Sequence, residues 1–384
     1  MSMDSDWIPL SVADTAERET QLVQHALLSG HLSSGSMVEA FESVFADFHE
    51  RKYAVAVSSG MAGAWMALRA LGIGPGDEVI ASAYSWHHLA HAIAHVGATP
   101  VLADIDYWSG CLSPTKAAEK IGPKTRAILV NNCNGHPAAW NEFRALADQH
   151  GLSLIEDSSE AIASRYYDDM VGSFGDISIF DLSQPLAISC GEGGMVLTDD
   201  ARLASELRYL RSHSLADRMS VSVGSRVPLQ ACLSDIAAAV GIAQLERIYE
   251  ILARRKQVET LYHQIMQTFE GIKPPYIAEG VTEVHWMLYV VHLGKRFTAS
   301  ARTQLIEDLD DEAVEVAAYS RPLHQQFHYA SYGYAKGQLS NTERIADRSL
   351  ALPFHSFLDE DEIRFVVGTL KDAATNVGAG VPIY

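Results

Sequence analysis

The sequence contains few cysteines and no long apolar segment. Four cysteines are scattered over 384 residues, and no two of them form a CxxC pair. So few thiols in so long a chain exclude a disulfide framework and fit a reducing compartment. No run approaches the ~18 consecutive apolar residues of a membrane span, and the first residues lack a basic stretch followed by an apolar one. We therefore expect a cytoplasmic protein without a membrane span or a signal peptide.

Basic residues are also scarce. Lysine and arginine number 29 against 48 aspartates and glutamates, which gives a formal net charge of −19. A surface this acidic repels phosphate backbones and anionic lipids, so neither nucleic acid nor a membrane is an expected partner. The apolar fraction of 48% and the charged fraction of 20% are ordinary for a globular protein. They exclude disorder, collagen and coiled coil as descriptions of the whole chain.

Short β-branched runs alternate with helical stretches between about residues 50 and 200. This order is typical of an α/β fold with an open, mostly parallel sheet and helices on both faces. After about residue 233 the pattern changes: Leu233–Phe269 predicts one long helix, straight or bent, and shorter strands and helices follow. We predict a large domain over residues 1–250 and a small α/β C-terminal domain over 251–384. The strand candidates are Tyr53–Ser58, Glu78–Ala83, Pro100–Asp104, Arg126–Asn131, Ser153–Glu156, Ile177–Asp181 and Met195–Thr198.

Polar residues cluster where the predicted strands end. In open α/β sheets, ligands bind beyond the carboxyl ends of the strands, so these side chains are expected to surround one site. Ser58-Ser59-Gly60 also leads directly into a helix, and a helix N-terminus favours anions, although many such turns only cap the helix. The other polar segments are Tyr84–His88, Asn132–His136, Glu156–Glu160, Asp181 and the loop Gly191–Gly194.

In this order, the segments resemble the DegT/DnrJ/EryC1/StrS family of sugar and cyclitol aminotransferases. The resemblance covers nearly the whole chain and includes AVSSGMAGAWMALRALGIGPGDEVIASAYSW, LIEDSSEA, CGEGGMVLTDD and IAAAVGIAQLERI. It implies the type I fold of pyridoxal-phosphate (PLP) enzymes, in which helices sandwich a mostly parallel seven-stranded sheet. It also implies a homodimer, because the family builds each active site across a two-fold interface.

The resemblance assigns cofactor-binding roles to several positions. Asp157 corresponds to the carboxylate that keeps the pyridine nitrogen protonated, which strengthens the ring as an electron sink. Trp86 corresponds to the aromatic residue that stacks on the ring, and Glu160 to the polar residue beside the cofactor's hydroxyl. The phosphate-binding positions are Gly60, Met61, Ala62 and, from the partner subunit, Gln230.

Four positions depart from the family pattern, the mildest being Gln230 in place of an asparagine. Leu186 stands where the family has its Schiff-base lysine, and no lysine occurs between Lys124 and Lys256. Leucine neither forms an imine nor transfers a proton. Met61 replaces a threonine of the phosphate-binding turn, and Asp181 replaces a serine, which sets a carboxylate against a phosphate. These changes predict weak or no PLP binding, so no cofactor is expected.

The same region carries titratable groups that suit acid–base chemistry near neutral pH. The candidate catalytic residues are His88, His136, Asp157 and Asp181. Alternatively, these groups only hydrogen-bond one another and fill space. His87, His91 and His95 share one helix face, but three histidines over two turns rarely converge on one zinc ion. We expect no metal site.

The residues leave three functions open. The prediction is PLP-independent acid–base chemistry on a polar, sugar- or cyclitol-like small molecule in a biosynthetic pathway. The first alternative is a non-catalytic homologue that binds a ligand or forms a heteromer with an active aminotransferase. The second alternative is an aminotransferase- or dehydratase-like enzyme that uses PLP or pyridoxamine phosphate (PMP) without the lysine.

Overall fold

A seven-stranded sheet forms the centre of the protein in a computed structural model that describes residues 7–212, 228–267, 269 and 271–377. All seven predicted strands belong to this sheet. The described strands are β1 Tyr53–Val57, β2 Glu78–Ser82, β3 Thr99–Ala103, β4 Thr125–Asn131, β5 Ser153–Asp157, β6 Arg165–Tyr166, β7 Asp169–Met170, β8 Ile177–Asp181, β9 Gly194–Thr198, β10 Ile272–Lys273, β11 Val281–Glu283, β12 Tyr289–Leu293 and β13 Ser349–Leu352.

The order across this sheet is β1-β9-β8-β5-β4-β2-β3. β9 runs antiparallel to both β1 and β8, and the remaining pairs are parallel. Parallel strands joined through helices are usually covered on both faces, which explains why these runs are apolar almost throughout. The predicted mostly parallel sheet is confirmed, with β9 as its antiparallel member.

Helices cover both faces of the sheet. The side chains of Val55 and Val57 belong to one hydrophobic core, whereas those of Ala54 and Ala56 belong to another on the opposite face. This alternation is the period-two geometry of a strand buried on both sides. The described helices are α1 Glu17–Leu28, α2 Ser36–Phe48, α3 Gly60–Ala70, α4 His87–His95, α5 Pro114–Ala118, α6 Trp140–His150, α7 Ala201–Arg211, α8 Asp235–Glu246, α9 Ile248–Met266, α10 Ala299–Asp311, α11 Phe327–Ala330, α12 Ser340–Ala346 and α13 Glu360–Asn376.

The long helix predicted over Leu233–Phe269 is interrupted. α8 ends at Glu246 and α9 begins at Ile248, with Arg247 between them at φ −102°. The Arg247 guanidinium is held by carboxylates of Asp14 and Glu19, which are distant in sequence. The sequence leaves open a bend within the predicted long helix, and these contacts hold Arg247 where α8 gives way to α9.

A second, three-stranded sheet lies in the C-terminal part of the chain, in the order β10-β12-β13. α9 connects the two parts: Ile251 and Leu252 pack in a core of the large sheet, and Val258 and Tyr262 pack in the C-terminal core. The predicted boundary at residue 250 falls inside this helix. Among the described residues, no helix is long and apolar enough to cross a membrane.

Candidate functional site

The carboxyl end of β5 places Asp157 at the centre of the candidate site. Its side chain is 5% exposed, and its Oδ1 accepts hydrogen bonds from the Ser159 N–H and Oγ–H. Burial raises the pKa of Asp157, while His88 and Ser159 act in the opposite direction. The carboxylate is therefore held in a fixed orientation in a poorly solvated position, where a cationic partner would stabilise it.

His88 approaches Asp157 from the first turn of α4. Its Nε2 lies 3.9 Å from Asp157 Oδ2 and has no hydrogen-bond partner among the residues described. Trp86, the residue before α4, is 37% exposed, and its ring centroid lies 5.9 Å from that of His88. Two of the predicted catalytic residues and the predicted stacking residue are therefore adjacent. A buried nitrogen without a partner marks a place where a ligand could complete the hydrogen bonding.

Asp181, at the end of β8, contacts the first residue of α3. Its Oδ2 accepts a hydrogen bond of 2.8 Å from the Gly60 N–H, and its Oδ1 accepts bonds from the N–H and Oγ–H of Ser183. A Cβ at residue 60 would lie 2.7 Å from the Asp181 Cβ, so only glycine permits this approach. The carboxylate thus occupies part of the anion-binding end of the helix.

One serine hydroxyl connects the two aspartates. Ser159 Oγ donates to Asp157 Oδ1 and accepts a 2.7 Å hydrogen bond from the Asp181 backbone N–H. The other phosphate-binding candidates are the next residues of α3: Met61 packs partly buried against the core, and the Ala62 N–H donates to the capping Ser59 Oγ. The helix N-terminus is thus partly satisfied by the chain itself.

A cavity of about 350 Å³ lies between the strand ends and the C-terminal part of the chain. Trp86 and Glu160 contribute walls from the sheet side, and Tyr319 and Arg321 contribute walls from the C-terminal side. Leu186 is 8% exposed and packs in a small apolar cluster that also contains Met287, Leu288 and Ala351, three further residues of the cavity wall. Leu186 therefore supports this wall with an apolar side chain.

The Glu160 carboxylate is held by two hydrogen bonds at the cavity wall. Its Oε2 accepts a 2.6 Å hydrogen bond from the Asn134 N–H and another from the Tyr319 O–H. Burial raises the pKa of Glu160 to about 7, although both hydrogen bonds favour its charged form. A carboxyl group with this pKa exchanges its proton near neutral pH.

His136 lies apart from these contacts. Its Nε2 accepts a hydrogen bond from the Ala278 N–H, so the proton is on Nδ1, which donates to the Pro137 carbonyl at 2.7 Å. Burial lowers the pKa of His136, which keeps the ring neutral. With both nitrogens engaged by backbone groups, this histidine holds the chain near residue 278, and the structure does not bring it together with Asp157.

The remaining histidines of α4 pack against aromatic groups. The rings of His87 and His91 lie 4.9 Å apart, and His91 stacks on Tyr329 at 5.9 Å. No cluster of three or more His, Cys, Asp or Glu side chains within the described ranges is arranged to hold a metal ion. Gln230 is exposed and has a φ of 61°.

Sequence reasoning missed three residues of this site. Tyr319 stands two residues before the Arg321-Pro322-Leu323-His324 segment, and its place beside this family-like segment could have drawn attention to it. Ser159 lies between two predicted site residues in the same strand-end segment. Asn131 is the register partner of Asp157 on β4, and its Oδ1 is buried without a partner in the described part of the chain. Only the strand register reveals that Asn131 shares a sheet face with Asp157.

The sequence matches a known protein family. Residues 13–371 match the DegT/DnrJ/EryC1/StrS aminotransferase family. The chain is also 32% identical over 377 residues to the spore coat polysaccharide biosynthesis protein SpsC of Bacillus subtilis (strain 168). This match covers 95% of the chain and 97% of SpsC. The chain belongs to the DegT/DnrJ/EryC1/StrS aminotransferase family.

Solved structures of other proteins share the fold. DesV from S. venezuelae, in complex with a ketimine intermediate, has a TM-score of 0.88 at 29% identity and covers 96% of this chain and 99% of DesV. Spr1654 from Streptococcus pneumoniae, in its PMP-form, has a TM-score of 0.90 at 23% identity and covers 97% and 98% of the two chains. The predicted type I fold is confirmed for this member of the DegT/DnrJ/EryC1/StrS family.

The expectation that the chain has no cofactor is wrong. The match to an aminotransferase family and the ketimine complex of DesV, which is 29% identical to this chain, point to PLP as the cofactor. The prediction gave most weight to Asp181, whose carboxylate accepts hydrogen bonds from Gly60 and Ser183 beside the start of α3. The prediction of PLP-independent chemistry depended on that expectation and is withdrawn with it.

Proposed function

We propose that this chain is a biosynthetic enzyme that binds PLP or PMP and acts on a sugar- or cyclitol-like small molecule. The observation that carries the proposal is the buried Asp157 carboxylate, which Ser159 orients at the end of β5. A carboxylate in that position needs a cationic hydrogen-bond donor, and a protonated pyridine nitrogen provides one. Membership of an aminotransferase family and the likeness to SpsC support the biosynthetic role.

The residues of the site fit the ring of the cofactor. Asp157 would hold the pyridine nitrogen, Trp86 would cover the ring and Glu160 would lie beside its hydroxyl. When bound, the cofactor supplies an electron sink for bonds at the substrate carbon. The unpartnered His88 Nε2 beside Asp157 supports a ligand at this end of the site.

We further propose that the cofactor is held without a covalent bond to the chain. By resemblance, Leu186 stands at the position of the family's lysine. Its side chain packs among Met287, Leu288 and Ala351. Within the described residues, no lysine lines the cavity. Non-covalent contacts, among them those at Asp157, Trp86 and the start of α3, must then supply the whole affinity.

A homodimer is part of the proposal. The family resemblance implies that each site is completed by a second copy, and the exposed Gln230 is available to one. Small-molecule substrates suit an open cavity of about 350 Å³.

Isothermal titration of the protein with PMP tests the proposal. We expect saturable binding at one site per chain. Asp157→Asn should weaken PMP binding at least tenfold, because a charge-assisted hydrogen bond is worth about 1.5–3 kcal/mol. Asp148→Asn, an exposed aspartate of α6, is the matched control and should bind PMP as the wild type does.

Two outcomes would overturn the proposal. The first is the absence of saturable PMP binding to the wild-type protein. The second is an unchanged affinity in Asp157→Asn, since it would place the ligand away from the end of β5.

A further inference from the structure

Glu160 is fixed rigidly on the wall of the cavity. The Asn134 N–H that binds its carboxylate belongs to a residue whose own side chain is anchored: Asn134 Oδ1 accepts from the Leu288 N–H at 3.0 Å, and Nδ2 donates to the Leu288 carbonyl at 3.1 Å. The Tyr319 O–H holds the same carboxylate oxygen from the C-terminal side. A carboxyl group clamped from both sides keeps one orientation toward the cavity.

We propose that Glu160 is the proton donor and acceptor of this site and that Tyr319 is its positioning residue. The inference rests on the proposed function, in which no lysine of the described residues lines the cavity and could carry protons. Leu186 has no proton to exchange, His136 has both nitrogens engaged elsewhere, and His88 is not among the residues that line the cavity. Glu160 lines the cavity together with Trp86 and Pro185, the residue next to Leu186.

The proton transfer balances without a further reactant. As a carboxylate, Glu160 takes one proton from a C–H bond of the bound substrate, and the electron pair of that bond stays with the substrate. As a carboxylic acid, Glu160 returns the proton to a second atom of the substrate. The carboxyl group ends in its starting state, as general acid–base catalysis requires.

Glu160 titrates near neutral pH, and His87 is a second titratable group of the cavity wall, with a pKa that burial lowers. The titratable groups that act on it are Tyr319, Cys133, Cys111, Tyr84 and Asp157. Burial raises the pKa of both thiols and both phenols above their usual values, so these four groups stay neutral at pH 7. Asp157 is a fellow carboxyl group that raises the pKa of Glu160, and burial acts in the same direction.

Tyr319 acts through Glu160. Its hydrogen bond favours the carboxylate, so Tyr319→Phe should raise the pKa of Glu160 by about one pH unit. Infrared difference spectra of the free protein are recorded between pH 5 and pH 9. Subtracting the spectra of Glu160→Gln leaves the carboxyl band of Glu160. We expect a midpoint near pH 7 in the wild type and a higher midpoint in Tyr319→Phe.

Calorimetry in buffers of different ionisation enthalpy tests the proton exchange with a ligand. PMP carries a cationic amine, so its binding should favour the Glu160 carboxylate and release about half a proton per site at pH 7. Protons that PMP itself gains or loses are common to all variants and cancel in the difference. Glu160→Gln should abolish the release, whereas Glu142→Gln should retain it, because Glu142 is an exposed glutamate that also accepts a tyrosine O–H, that of Tyr166.

The outcomes separate this inference from the proposed function. Equal proton release in wild type and Glu160→Gln would overturn the inference while leaving PMP binding intact. If PMP does not bind at all, the proposed function fails. The infrared midpoint then tests the inference about Glu160 by itself. A Glu160 carboxyl group already ionised at pH 5 would contradict that inference.

Discussion

The Asp181 carboxylate determines how strongly the start of α3 can bind a phosphate. It accepts the Gly60 N–H, which would otherwise be available to a bound anion. Two unit charges 4 Å apart repel each other by about 4 kcal/mol at an effective dielectric of 20, and the partial exposure of Asp181 reduces this value. We therefore expect this residue to lower the affinity for the phosphate end of PLP or PMP.

Replacement of Asp181 should strengthen cofactor binding. Asp181→Ser frees the Gly60 N–H and removes one negative charge, so we expect its affinity for PMP to rise at least tenfold in calorimetric titrations. Glu192→Gln removes a negative charge from the exposed loop before β9 and is the matched control, for which we expect little change. Equal PMP affinity in Asp181→Ser and wild type would show that Asp181 does not face the phosphate.

At the scale of elements, the sequence predicted the strands of the large sheet well because their signal is local. Each strand, such as Ile177–Asp181, is a short β-branched run covered on both faces. The same rule placed Asp157 and Asp181 at strand ends, where the structure brings them together. The contact between Tyr319 and Glu160 and the ion pairs of Arg247 join distant segments. A local pattern such as the Arg321–His324 segment could draw attention to Tyr319, but it could not show which residue Tyr319 contacts.

The break between α8 and α9 is stabilised by a buried network of charges. Arg247 binds Asp14 at 2.9 Å and Glu19 at 2.7 Å, and both carboxylates are 4% exposed. Arg254 binds the other oxygen of Asp14 at 2.6 Å. The two arginines balance the charges of Asp14 and Glu19. Asp14 lies in the segment before α1, Glu19 lies in α1, and both are buried against α8 and α9.

Removal of Arg247 should destabilise the protein strongly. Arg247→Ala leaves Glu19 without its arginine and Asp14 with only Arg254, and breaking a buried ion pair typically costs about 3–5 kcal/mol. We expect a loss of that order in the free energy of unfolding, measured by urea denaturation. Arg18→Ala breaks the exposed pair with Glu246 and should cost less than about 1 kcal/mol. A similar small loss in both variants would contradict the role of the network.

At the scale of the whole molecule, the cavity of the candidate site is built by both parts of the chain. The sheet side supplies Trp86 and Glu160, and the C-terminal side supplies Tyr319 and Arg321. The family and its fold could be predicted from the sequence because their motifs extend along nearly the whole chain. The cofactor could not be predicted correctly from four altered positions, since the ring-binding side chains and the fold around them are also needed to judge the site.

Reduction of the PLP-treated protein with sodium borohydride tests the central claim most directly. The account predicts one saturable PLP site per chain that dialysis empties, and no stoichiometric pyridoxyl adduct on any lysine by peptide mass spectrometry. The double variant Leu186→Lys/Asp181→Ser is the positive control and should carry an adduct at position 186. A stoichiometric adduct on a lysine of the wild-type chain, or the absence of a saturable PLP site, would contradict the claim that this protein holds its cofactor without a covalent bond.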